Sequence, residues 1–113
     1  MTDNKIESNS TGKAPVHTLI FPDYFEDEGW IYESKGYFAD ITLHFADKIY
    51  ELMFYDPVRL SQEINGELQR QIFFLERNLI VIPAVTRQHM EQAVAQLIAH
   101  RRITELLPMP PQA

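Results

Sequence analysis

The chain has 113 residues, 45% of them hydrophobic, a formal net charge of −6 and no cysteine. Its length and apolar content fit one domain around one core. The missing cysteine excludes disulfide scaffolds, thiolate zinc sites and cysteine nucleophiles, and the acidic balance argues against a nucleic-acid surface. No apolar run approaches the ~18 residues of a membrane span.

Residues 1–13 (MTDNKIESNSTGK) are polar, with Ile6 the one apolar residue after Met1. They lack the apolar stretch of a secretory signal and read as a disordered leader. Residues 108–113 (PMPPQA) read as a disordered, Pro-rich tail. Residues 14–107 remain as a single α+β domain. With neither a signal nor cysteine, the expected location is the cytoplasm.

Residues 29–34 are rich in β-favouring types and predict a strand, with Lys35-Gly36 as a turn. Residues 37–45 alternate, with Tyr37, Ala39, Ile41, Leu43 and Phe45 on one side and Asp40, Thr42 and His44 on the other. Ala46-Asp47 reads as a tight turn into a second strand over 48–55, completing an antiparallel meander. Asp56 is a favoured N-cap and Pro57 a favoured first helical residue. Tyr55 and Leu60 occupy the positions of a hydrophobic staple, and Leu60, Ile64 and Leu68 form one stripe of a helix over 57–70. Residues 72–75 and 79–82 predict a second hairpin, turning at Arg77-Asn78 and stopped by Pro83. Thr86 caps a last helix, about 87–102, with Met90, Ala93, Val94, Leu97 and Ile98 on one face. The predicted fold is an antiparallel sheet of four to five strands with two helices on one face. Residues 40–70 and 71–101 read as two ββα units in tandem.

Three strands are apolar on both faces. Residues 48–55 place Ile49, Met53 and Tyr55 on one side and Tyr50, Leu52 and Phe54 on the other; residues 72–75 and 79–82 are apolar throughout. Each large apolar side chain buried is worth about 1.5–3 kcal/mol, and a large exposed patch is unusual in a monomer. Cover is expected partly from residues 17–25 and partly from a second copy of the chain. Tyr50, Leu52, Phe54 and Phe73 are the predicted dimer-interface residues.

Residues 22–33 hold Asp23, Glu26, Asp27, Glu28 and Glu33 with no Lys or Arg, interleaved with Tyr24, Phe25, Trp30 and Tyr32. Aromatics anchor interfaces and charge steers encounters. Asp23, Tyr24, Phe25, Glu26, Asp27, Glu28 and Trp30 are therefore the predicted surface for a basic protein partner. The acidic spacing does not fit a calcium loop. His89 and His100, eleven apart on one helix, lie roughly 16 Å apart along its axis and cannot share a metal. Glu63 and Glu67 stand between Arg59 and Arg70 as a solvated charged stripe. No nucleophile elbow or phosphate-cradling glycine loop is present. The expected function is therefore non-catalytic: an adaptor, inhibitor or regulatory domain acting as a homodimer, with no cofactor, metal, nucleic acid or membrane partner. The alternative is a small-ligand binder or small enzyme. Its pocket would lie between sheet and helices or at the dimer seam, lined by Tyr37, Tyr50, Phe54 and Trp30 with His44 and Asp40 as polar groups.

Overall fold

The computed structural model describes residues 16–111; the predicted leader and the last two residues of the predicted tail lie outside them. Four strands form one sheet in the order β1 (His17–Ile20), β2 (Tyr37–Phe45), β3 (Lys48–Tyr55) and β4 (Leu79–Val81). The helices are α1 (Phe25–Lys35), α2 (Pro57–Arg70) and α3 (Arg87–Ala99), followed by a 3-10 turn over Ile103–Glu105. The α+β class agrees with the sequence. The sheet is mixed, however: β1, β2 and β3 pair antiparallel, and β4 runs parallel to β3.

Residues 29–34 are helical, not extended. Glu26, Asp27 and Glu28 in the first turn of α1 complement the helix dipole, and Lys35 does so in the last turn. Gly36 ends the helix with φ 73°, its N–H donating to the carbonyls of Tyr32 and Glu33. Phe25 and Tyr32, seven residues apart, both turn inward and stack on each other at 5.9 Å. Helical spacing thus overrides the β preference of Trp30, Ile31 and Tyr32. A Cβ on Gly36 would also stand 2.5 Å from the Asp56 carboxylate. That carboxylate is occupied as predicted, capping α2 by accepting from Arg59 N at 2.7 Å.

The β2–β3 hairpin turns at Ala46-Asp47, both at positive φ, the two-residue geometry that matches strand twist. Between Phe38 and Ile41 the register shifts by one residue. This bulge changes the phase of β2. Phe38, Ile41 and Leu43 point into the core, opposite Phe54, Leu52 and Tyr50 of β3. Tyr37 lies on the other face, 4.8 Å from its cross-strand partner Tyr55. α1 contributes Phe25 and α3 contributes Met90 and Val94 to a core completed by Ile82, Val85 and Ile103. Thr86 caps α3 by accepting from His89 N.

Residues 72–75 form no strand, so neither the second hairpin nor the tandem of ββα units exists. A parallel return needs a long crossover, and the chain from Asp56 to Asn78, including α2, serves as one. Apolar content alone does not distinguish such a loop from a buried strand. Arg59 of α2 lies 6.0 Å from the Tyr37 ring, so α2 starts beside the face opposite the core, not on the shared face predicted for both helices.

β4 covers only the end of β3. Asn78 closes the remainder. It is buried, at φ 54°, a conformation Asn tolerates better than most residues. Its side-chain amide donates to the carbonyls of Glu51 and Leu107, and its side-chain oxygen accepts from Leu107 N at 2.8 Å. Met109 N then donates to Ile49 O, and Arg77 donates to Pro108 O. The start of the Pro-rich tail is therefore tied to β3. Asn78→Ala removes three hydrogen bonds and leaves their partners in place, so a loss of about 2–4 kcal/mol in unfolding free energy is expected from urea denaturation. A loss below about 0.5 kcal/mol would contradict this role.

Candidate functional site

The alternation of β3 is as predicted, but the covered face is the other one. Tyr50, Leu52 and Phe54 are buried beneath α1 and α3 within the chain's own core. They are not available to a second copy, because they share one core with Phe25 of α1 and with Met90 and Val94 of α3. Phe73 alone of the four predicted interface residues is on the surface, 54% exposed.

The exposed apolar surface lies elsewhere. α2 carries no buried residue, although Leu60, Ile64 and Leu68 form its predicted apolar stripe. Its Val58 and Leu68 are exposed. In the following loop Ile72 is 94% and Leu75 80% exposed. Ile20, Ile49 and Val81 add exposed side chains, and strand alternation puts all three on the sheet face away from the core. The charged side of α2 is held by local pairs, Arg59 with Glu63 at 3.0 Å and Arg70 with Glu67, as its spacing predicts. Val58, Ile72, Leu75 and Val81 are not among the predicted interface residues. The apolar runs 72–75 and 79–82 carry a signal for the last three, but residues 72–75 form a loop and not the expected strand.

The acidic segment is the front of α1. Trp30 is 71% exposed, and Asp23, Glu26 and Asp27 also face solvent. Glu26 pairs with Arg87 of α3, whose guanidinium lies 4.4 Å from the Phe21 ring. Glu28 is partly buried and accepts from the Tyr32 hydroxyl at 3.1 Å. Tyr24 donates to Asp40 from the start of the helix. Phe25 is a correction to the predicted partner surface: it is buried, packed 5.0 Å from Phe38. It anchors the helix that displays the others.

The residues of the alternative ligand pocket do not converge. Tyr50 and Phe54 are in the core, Trp30 is on the outer side of α1, Tyr37 is beside α2, and His44 is exposed on β2. Asp40 is occupied by Tyr24. Among the described residues, no three His, Asp or Glu side chains gather to hold a metal, and no helix is long and apolar enough to cross a membrane. A hollow of about 670 Å³ runs beside β4 and is lined mainly by apolar side chains.

Tyr55 is a buried aromatic residue outside the main core. Burial, with Glu63, Tyr37 and Glu76 nearby, pushes its phenol up to about 12. The Tyr24 phenol is also raised, chiefly by its hydrogen bond to Asp40. Both tyrosines are therefore held protonated, as donors and packing groups rather than as bases. No protein family, curated protein or solved structure gave a match to this chain.

For Tyr55 the folded value lies above the unfolded value of about 10. Its contribution is thus full below pH ~10 and lost as pH rises toward ~12. Tyr55→Phe should flatten the fall in stability between those limits, measured by denaturant unfolding at stepped pH. An unchanged slope would contradict the assignment.

Proposed function

We infer that the chain is a non-catalytic interaction domain that acts as a homodimer. The exposed apolar side chains of Val58, Leu68, Ile72, Phe73, Leu75 and Val81 carry this reading. Such side chains cost hydrophobic free energy in water and are the kind of surface that a partner subunit covers. The dispersal of polar groups also supports a role without chemistry. The carboxylates of Glu26, Glu63, Glu67 and Glu105 are each paired with an arginine. None stands with a nucleophile in a cleft, which is the arrangement a hydrolytic or acid–base site requires.

The second half of the proposal concerns α1. Its outward acidic side with Trp30 would meet a basic segment of another protein, the exposed ring supplying contact area and the carboxylates steering the encounter. Dimerisation through the exposed apolar side chains would leave this helix free in both copies.

Light scattering at micromolar concentration is the test. The expected particle has twice the 13.2 kDa chain mass. The double variant Ile72→Asp, Leu75→Asp should give the mass of one chain with an unchanged far-ultraviolet spectrum, since both side chains stand in solvent in the single chain. A wild-type particle of one chain mass would overturn the homodimer. For α1, Trp30→Ala with Asp27→Asn should reduce binding of a Lys- and Arg-rich peptide at least fivefold, read by anisotropy of the labelled peptide. Equal binding by wild type and variant would remove α1 as the partner surface.

A further inference from the structure

Among the described residues, β4 is paired on one side only. Met53 N donates to Asn78 O, and Ile82 N donates to Tyr55 O. Residues 78, 80 and 82 therefore direct their backbone groups toward β3, and alternation turns the N–H and C=O of Leu79 and Val81 outward. Edge strands are usually guarded by lysine, proline, a bulge or a covering segment. Leu79-Ile80-Val81 carries none of the first three. In place of a cover there is the 670 Å³ hollow, bounded by Leu97 and Leu106 on the α3 side and by exposed Leu75 and Leu107 at its rim.

We propose that β4 pairs antiparallel with β4 of a second copy, joining two four-stranded sheets into one of eight strands. This rests on the homodimer inferred above and names its seam. The charges around the hollow are Glu76, Arg77, Arg102 and Glu105, two of each sign. A two-fold axis brings a patch against itself, and a rim with no net charge meets itself without the repulsion that the −6 chain sets up elsewhere. The other edge, β1, leads into Pro22 and the acidic stretch from Asp23, where two copies would repel. The seam also takes in Leu75 and Val81, two of the exposed apolar side chains that support the homodimer.

The outward groups fix the register. Leu79 of each chain exchanges both backbone hydrogen bonds with Val81 of the other, so the ladder closes with four bonds. The two copies of Ile80 then face each other across the axis as a non-hydrogen-bonded pair, with Cα atoms about 4.5 Å apart. That separation is within reach of a disulfide, and the chain has no cysteine of its own.

The experiment is oxidation of the full chain carrying Ile80→Cys, with Ser34→Cys at an exposed position of α1, which the homodimer leaves free, as the control. More than half of the Ile80→Cys chains are expected to become covalent dimers on a non-reducing gel, against less than a tenth for Ser34→Cys. Val81→Pro, which removes an outward N–H and leaves the β3 ladder intact, should raise the dimer dissociation constant at least tenfold by sedimentation. A double-mass particle with no cross-link through Ile80→Cys and undiminished association of Val81→Pro overturns the seam while the homodimer stands. A wild-type chain of single mass at 100 µM or so overturns both. If Val81→Pro does not fold, the cross-link decides alone.

Discussion

Among the described residues, three helices are too few to cover both faces of this sheet. α1 and α3 place Phe25, Met90 and Val94 over Leu43, Leu52 and Phe54, and that single layer uses the apolar sides of both helices. α2 is the remaining element, and it buries no residue of its own. The outer sheet face and the crossover that follows α2 are left with apolar side chains in solvent. The proposed mode of action depends on this imbalance.

The mixed topology explains where the imbalance falls. An antiparallel second hairpin would have placed residues 72–75 inside the sheet. The parallel return instead spends them on the crossover, and β4 is left as a three-residue edge beside β3. Asn78 is the residue that makes this geometry possible. Its left-handed backbone turns the chain into β4, and its side chain bridges β3 to the segment after α3. The C-terminal stretch thereby completes the strand edge that β4 is too short to reach, and Met109 pairs with Ile49.

Much of the fold was legible in the sequence, and the exceptions have physical causes. Strands 37–45 and 48–55, their turn at Ala46-Asp47, and the caps at Asp56 and Thr86 are local features with local signals, and each is found where its pattern puts it. α1 was hidden because Trp30, Ile31 and Tyr32 are β-favouring types, while the decisive signals were the acidic first turn and Gly36. The facing of β3 follows from the turn: two residues at Ala46-Asp47 set Leu43 opposite Tyr50 and Ile41 opposite Leu52, so these pairs share one face, and the bulge beyond Ile41 changes only where Phe38 and Tyr37 point. Period-two alternation identifies two faces without saying which is covered. The excess of apolar side chains is legible in residues 48–55, 72–75 and 79–82, but Tyr50, Leu52 and Phe54 lie in the core, and of the four predicted interface residues only Phe73, in the crossover, is exposed.

Covering that excess with a second chain is the central claim, and amide hydrogen exchange as a function of protein concentration tests it most directly. Protection at Leu79, Val81 and residues 72–75 is predicted to be high at 100 µM or so and to fall on dilution, while the amides of α1 around Trp30 keep one rate throughout. Identical exchange at every concentration along β4 and the crossover would contradict the account.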